Sequence, residues 1–262
     1  MINEHRENVK PELLLHVGLL IALAFTAPAC ASGKKTGKHL FILSGQSNMT
    51  GAVRDAFSDR VHERLGKENA VVVMRMKSGR GIRFWVADYR QPRGRGLTNK
   101  KKKSNGQEYK PLIEAVLAAE KDQSFDTVGF IWMQGESDAN NRLSEVYEES
   151  FVKLVRHLKK DLGRDDLYFV IGRINDYARN RPDNEHWRRV RDTQVKLGQT
   201  RGNAWLDTDD LNGGDAKQPD GGIHFPREGA VILGQRFADQ ALKLIDEHER
   251  RTDLIRSHKE SH

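Results

Sequence analysis

Two short segments of the chain carry side chains that could do chemistry together. Ser47 lies in the segment Gly-Gln-Ser-Asn-Met, 45–49, directly after an apolar run that predicts a buried strand. His224 and Asp220 lie in the segment Asp-Gly-Gly-Ile-His-Phe, 220–225. A serine hydroxyl becomes a useful nucleophile when an imidazole accepts its proton, and a carboxylate holds that imidazole in the correct tautomer. These residue types predict a nucleophilic hydrolase.

Other roles for these residues compete with the catalytic ones. A Gly-x-Ser sequence is common, and in a plainer interpretation Ser47 is the N-cap of the following helix. Gly45 permits a tight turn at this point, and the amide of Asn48 can fix it. Among ten histidines, His224 is the one preceded by an aspartate and followed by an aromatic residue. Asp215 is the alternative to Asp220 as the carboxylate that orients His224.

The elements that must position these residues alternate between strand and helix. The strand candidates are rich in Val, Ile, Phe and Leu without clean alternation, which is typical of strands covered on both faces. The pattern predicts a three-layer α/β/α sandwich with a parallel sheet of about five strands, and ligands in such folds bind beyond the carboxyl ends of the strands. The predicted strands are 39–44, 70–76, 127–133, 167–173 and 203–206; the predicted helices are 111–121, 145–162 with Ser144 as N-cap, 184–197 and 227–247.

The motifs resemble those of the SGNH hydrolase superfamily. Segments 44–49 and 132–138 are similar, more narrowly, to the sialate O-acetylesterase-like domain family, which is related to the acetyl xylan esterases of carbohydrate esterase family 6. Segment 78–85 is similar to the second block of that family, and 220–225 to its last block. The resemblance extends over about 38–246. It implies a serine esterase that removes short acyl groups, most often acetyl, from carbohydrate hydroxyls.

The resemblance also implies an oxyanion hole. Its donors would be the main-chain N–H groups of Ser47 and Gly79 and the side-chain amide of Gln134, with Gly81 as the alternative glycine. The last block departs from the family pattern, because three residues separate Asp220 and His224 where two are usual. Two glycines in that gap could form a bulge that restores the approach.

Several neighbours of these blocks receive supporting or substrate-binding roles. A carboxylate pointing at a developing oxyanion would oppose it, so Glu136 is predicted to support the site by binding loop N–H groups or by orienting Gln134 and Arg83. Asp138 is predicted to cap a loop. The other supporting residues are Gln46 and Asn48. The predicted sugar contacts are Arg83, Trp85 and Tyr89, and a core position is an equal alternative for Trp85.

The amino-acid composition limits which classes of function the sequence predicts. The 262 residues have a net charge of +7 with dispersed basic side chains, so no nucleic-acid partner is predicted, and the lysine run 100–103 is interpreted as a solvated loop. Attraction to acidic polysaccharides or anionic surfaces is the more useful interpretation of the charge. No metal motif or cofactor fingerprint is present, and none is predicted. The sequence does not fix the oligomeric state. The alternatives are a lipase- or arylesterase-like hydrolase and a non-catalytic carbohydrate-binding protein.

The first 32 residues differ from the rest. Their apolar run, 13–27, is too short for a comfortable membrane span and predicts a signal peptide for export, with an uncleaved N-terminal anchor as the alternative. Residues 33–262 then form the esterase domain. Cys30 is the single cysteine, so no internal disulfide is predicted, and its surroundings match a lipoprotein signal poorly.

Overall fold

Five parallel strands form the middle layer of the fold. In this computed structural model, the described residues are 37–94, 103–177, 184–213 and 222–260. The strands follow the spatial order β2-β1-β3-β4-β5, and every neighbouring pair is parallel. They are β1 (His39–Gly45), β2 (Ala70–Met76), β3 (Thr127–Met133), β4 (Tyr168–Gly172) and β5 (Ala204–Leu206). The predicted three-layer α/β fold with five parallel strands is confirmed.

Helices cover both faces of this sheet. Right-handed crossovers place α1 and α6 on one face, where they pack against each other, and α2, α4 and α5 on the other. The helices are α1 (Gly51–Leu65), α2 (Tyr109–Glu120), α3 (Glu136–Asn140), α4 (Tyr147–Asp161), α5 (Glu185–Gly198) and α6 (Arg227–Glu260). Short 3₁₀ turns lie at Ile82–Trp85, Ser144–Val146 and Asp209–Leu211. None of the helices within the described ranges is both long and apolar enough to cross a bilayer.

Strand bounds agree with the sequence prediction to within a residue or so, whereas helix ends differ more. Helix α6 continues to Glu260, well past its predicted end at 247. Ser144 is not the N-cap of α4, because it begins a 3₁₀ turn and its Oγ pairs with Nδ1 of His186 at 2.7 Å. No bounds were predicted for α1, whose buried residues are only Val53, Phe57 and Val61. A stripe of three apolar side chains over four turns is a weak helical pattern.

The turn after β1 fixes where the first motif leaves the sheet. Gly45 has φ +148°, and a Cβ atom there would lie 1.9 Å from the carbonyl oxygen of Met133 on the neighbouring strand. Only glycine allows this approach. The N–H of Gln46 donates to Met133 O at 2.9 Å, and the N–H of Lys77 donates to Gly45 O at 3.0 Å. The turn is therefore joined to both strands that flank β1.

All described residues belong to one compact unit, Lys35–His262. The predicted leader, 1–32 with Cys30, lies outside the described residues, as do most of the lysine run 100–103 and both candidate carboxylates, Asp215 and Asp220.

Candidate active site

Ser47 and His224 meet at the carboxyl-end edge of the sheet. Ser47 follows β1 in the turn built on Gly45, and His224 lies in the segment just before α6. Ser47 Oγ and His224 Nε2 are 2.9 Å apart, within hydrogen-bonding distance. Ser47 is half-buried and His224 is exposed, so both can be reached from solvent. This is the geometry in which an imidazole can take the proton of a serine hydroxyl.

The helix after the turn has a different N-cap from the one suggested by the plainer interpretation. Thr50 Oγ1 accepts a hydrogen bond from the N–H of Val53 at 3.3 Å and so caps α1. Capping by Ser47 is therefore wrong, because the first turn of the helix begins after Thr50. The Ser47 hydroxyl is left to pair with His224.

Gly79 lies in the loop that follows β2. It is exposed, has φ +67°, and has open space where a side chain would be. Gly81 instead packs on the carboxylate of Asp138, which also accepts a hydrogen bond from the N–H of Ile82 at 2.8 Å. A donor to a substrate oxygen must be accessible. Because Gly79 is exposed and Gly81 is buried, their placement favours Gly79 as the glycine of the oxyanion hole.

Gln134 lies directly after β3, and its side chain is fully buried. Its Nε2 donates to Gln46 Oε1 at 3.1 Å, to Arg80 O at 3.2 Å and to Asp138 Oδ2 at 2.6 Å. Three acceptors surround an amide that carries two hydrogens. An oxyanion contact by Gln134 would therefore have to replace one of these bonds.

Gln46 links segment 44–49 with segment 132–138. Its Oε1 accepts from Gln134 Nε2 and, at 3.2 Å, from the N–H of Ser137 at the start of α3. The buried amide thus holds the turn that carries Ser47 against the loop after β3. This is consistent with the supporting role predicted for Gln46.

Asn48 connects Glu136 with the segment around His224. Its Nδ2 donates to Glu136 Oε1 at 2.6 Å and to Ile223 O at 2.9 Å, and its Oδ1 accepts from the N–H of Phe225 at 3.2 Å. Glu136 therefore supports the site through Asn48. Main-chain N–H groups of Gly135 and Glu136 also bind its carboxylate, which is the first of its two predicted roles. The second role is not observed, because Gln134 is bound by Asp138, and Arg83 donates to Ser104 and Asn105.

Burial changes the acidity of the two carboxyl groups. Desolvation raises the pKa of Glu136 to about 7, against the opposing effect of hydrogen bonds from main-chain N–H groups and from Asn48. Desolvation also raises the pKa of Asp138 to about 6, and the hydrogen bond from Gln134 opposes this rise. Desolvation, with a smaller contribution from the negative charge of Asp138, therefore keeps Glu136 protonated through much of the range below neutral pH.

A Glu136→Gln variant is expected to lose part of the pH dependence of stability. The folded pKa of Glu136 lies above its ordinary value of 4.5, so its contribution is fully present below about pH 4.5 and is lost as pH rises through about 7. The variant, neutral at every pH, should be more stable than wild type at pH 8 by at most about 3 kcal/mol and similar at pH 5. Urea unfolding at both pH values measures this, with the exposed Glu114→Gln as control. Parallel pH curves for wild type and Glu136→Gln would contradict it.

Two of the three predicted sugar contacts lie in the core. Trp85 is 1% exposed and packs edge-on against Trp132, with ring centroids 5.2 Å apart. Tyr89 is 8% exposed. Trp85 takes the core position that was its equal alternative, because the 3₁₀ turn Ile82–Trp85 directs its ring inward. Tyr89, four residues further on, is too buried to offer its ring to a sugar, which contradicts its predicted contact. Arg83 is half-buried, and its guanidinium lies over the ring of Phe84 at 3.9 Å.

One buried asparagine at this edge was not predicted. Asn175 follows β4, and its Nδ2 donates to Gly222 O at 3.0 Å and to Ile223 O at 3.3 Å. Its position three residues past a strand end was the available signal, since carboxyl ends of parallel strands carry the functional loops. Among the described residues, no group of three His, Cys, Asp or Glu side chains could hold a metal ion.

The fold and this edge define a three-layer α/β hydrolase of the SGNH type, with a serine and a histidine paired beyond the sheet. The sequence matches the family described as carbohydrate esterase, sialic acid-specific acetylesterase over residues 56–243. The chain belongs to this family and is an esterase. A search of curated proteins found no match.

Solved structures share the fold. A protein from Arabidopsis thaliana aligns with a TM-score of 0.57 at 17% identity, over 79% of this chain and 98% of that one. A carbohydrate acetylesterase from Xanthomonas citri gives 0.53 at 17%, over 77% and 55% of the two chains. A carbohydrate acetylesterase from Sinorhizobium meliloti gives 0.51 at 14%, over 79% and 99%. At these identities the likeness is one of fold.

Proposed function

We propose that the protein is a serine esterase that removes acetyl or similarly short acyl groups from carbohydrate hydroxyls. The observation that carries this proposal is the 2.9 Å contact between Ser47 Oγ and His224 Nε2 at the carboxyl-end edge of the sheet. Membership of the carbohydrate esterase family supports the reaction class. The net charge of +7 suits an acetylated polysaccharide that also bears acidic groups.

The first half of the reaction acylates Ser47. His224 accepts the hydroxyl proton while Ser47 Oγ attacks the ester carbonyl carbon, which forms a tetrahedral intermediate with a negatively charged oxygen. His224 then gives the proton to the departing sugar oxygen, and the C–O bond to the sugar breaks. In the second half, water loses a proton to His224, attacks the acyl-enzyme and releases acetate and the Ser47 hydroxyl.

The remaining site roles belong to the same proposal. Asp220, with Asp215 as the alternative, orients His224. The N–H groups of Ser47 and Gly79 bind the oxyanion, and Gln134 joins them by giving up one of its three present acceptors. Of the predicted sugar contacts, only Arg83 remains.

Cell location and domain limits are also proposals. We propose that residues 1–32 direct export and that 33–262 form the esterase domain. An extracellular or periplasmic site would bring the enzyme to polysaccharide substrates. Comparison of the N-terminal sequence of the protein in the medium, periplasm and membrane fractions tests this.

A substrate panel tests the activity. The purified protein should release acetate from acetylated xylan or O-acetylated sialic acid with a higher kcat/KM than it shows for p-nitrophenyl octanoate. The chain-length series from acetate to octanoate isolates acyl size, because the leaving group stays constant. A preference for octanoate would favour a lipase-like esterase, and efficient p-nitrophenyl acetate hydrolysis without sugar deacetylation would favour an arylesterase. No ester hydrolysis at all would favour a non-catalytic binding protein.

A further inference from the structure

The segment that carries His224 has few anchors of its own. His224 is exposed, and so are Pro226 and Arg227 beside it. Residues 222–226 belong to no helix or strand. Even so, His224 Nε2 is held 2.9 Å from Ser47 Oγ. Side chains from elsewhere in the fold must therefore fix the main chain on either side of His224.

Asn48 is the first of these side chains. It accepts from the N–H of Phe225 and donates to the C=O of Ile223, so one carboxamide binds the residues immediately before and after His224. Asn48 is also the residue after Ser47. The serine and the histidine are thus joined by a short path that runs through Asn48, and buried Glu136 holds its amide in place.

Asn175 is the second, and it binds the same segment from the loop after β4. Its Nδ2 donates to the carbonyl oxygens of Gly222 and Ile223. Asn175 is fully buried, and its other polar groups are engaged within the body of the protein: its Oδ1 accepts from the N–H of Tyr177 at 3.2 Å, and its main-chain oxygen accepts from Trp187 Nε1 at 2.7 Å. Trp187 lies in α5, so Asn175 ties the histidine segment to a packed helix.

Gly222 receives one more main-chain contact. Its N–H donates to Asn212 O at 3.1 Å, so the segment is also bound to the loop that follows β5. The carbonyl of Gly222 is then directed towards Asn175. Because peptide groups are planar and rigid, fixing the carbonyls of Gly222 and Ile223 restricts the position of the main-chain nitrogen and Cα of His224.

We propose that Asn175 is a positioning residue for the esterase reaction, acting on His224 through the carbonyls of Gly222 and Ile223. This inference rests on the proposed function, because it assigns Asn175 a kinetic effect only if His224 is the base. Displacing a catalytic group by about 1 Å can cost about 10²-fold in rate. A side chain that only stabilised the fold would lower the melting temperature without this specific loss of kcat.

An Asn175→Asp variant tests the proposal with almost no change in shape. The carboxylate can still accept from Tyr177, but it presents an oxygen to two carbonyl oxygens and repels them. We expect kcat to fall about 10²-fold with KM nearly unchanged, and the rate of Ser47 labelling by a fluorophosphonate to fall in parallel. Asn175→Ser, which is too short to bind both carbonyls, gives the same readout if the aspartate variant does not fold.

Asn203→Asp is the matched control. Asn203 Oδ1 accepts from the N–H of Phe169 at 2.9 Å, and its Nδ2 donates to Thr200 Oγ1 and to Arg201 O, so the same chemical change is made at the amino-end edge of the sheet. Its kcat should stay near wild type even if its melting temperature falls. An equal loss of kcat in Asn203→Asp would overturn the proposal.

Measurements in a His224→Ala background distinguish failure of the positioning role of Asn175 from failure of the proposed esterase function. If Asn175 acts through His224, adding Asn175→Asp to His224→Ala should lower the residual activity no further. A repeated 10²-fold loss in that background, or unchanged kcat in both Asn175 variants, would overturn the positioning role alone. Near-normal activity of His224→Ala would instead overturn the proposed function, and the positioning role with it.

Discussion

A Ser47→Ala variant is expected to lose on the order of 10⁶ of kcat, because members of a catalytic triad act as a unit. Without the hydroxyl no acyl-enzyme forms, and only binding and oxyanion contacts can assist direct attack by water. The fold should be unaffected, since Thr50 rather than Ser47 caps α1. Acetate release measures kcat, and mass spectrometry after fluorophosphonate treatment should show a labelled Ser47 peptide only in the wild type.

Ser58→Ala is the control for this experiment. Ser58 lies in α1, the helix that follows the Ser47 turn, and is half-buried like Ser47. Its replacement should leave both kcat and labelling near wild type. A Ser47→Ala variant that kept a tenth or more of the activity, or that was still labelled elsewhere, would show that another group is the nucleophile.

The sequence was most informative where local pattern and tertiary burial agree. Strands such as β3, whose residues are all buried, appear as nearly continuous apolar runs because helices cover both faces. The turn after β1 could be predicted because Gly45 follows an apolar run. The structure gives the physical reason for this glycine, which is its close approach to Met133. These local features are enough to predict that Ser47 lies at the carboxyl-end edge of the sheet, where the structure has it.

Contacts made between distant segments could not be predicted in the same way. Trp85 ends segment 78–85, and only its packing against Trp132 shows that its ring points inward. Asn175 stands alone in sequence, and its bonds to the histidine segment depend on how the loops after β4 and β5 approach each other. Asp138 caps a loop at the N–H of Ile82 as predicted, but it also binds Gln134, a contact that had been assigned to Glu136. Two carboxylates of one short helix can face different neighbours, and the sequence does not show which faces which.

A His224→Ala variant is expected to reduce kcat about as severely as Ser47→Ala, on the order of 10⁶, because the serine hydroxyl then has no base at 2.9 Å. Combining the two substitutions should cost little more than either alone, since each removes the same proton transfer. Fluorophosphonate labelling of Ser47 should slow in parallel, which distinguishes loss of the base from loss of sugar binding. Steady-state kinetics on acetylated sugar and labelling time courses provide both measurements.

His258→Ala serves as the comparison, because this histidine is exposed near the end of α6 and its Nδ1 lies 2.9 Å from Leu254 O. Its kcat should be unchanged. The non-additivity of the two site variants is the stronger evidence, since independent structural defects would multiply. If the loss in the double variant equalled the product of the two single losses, Ser47 and His224 would be acting separately, and their 2.9 Å contact would not be the proton path of the reaction.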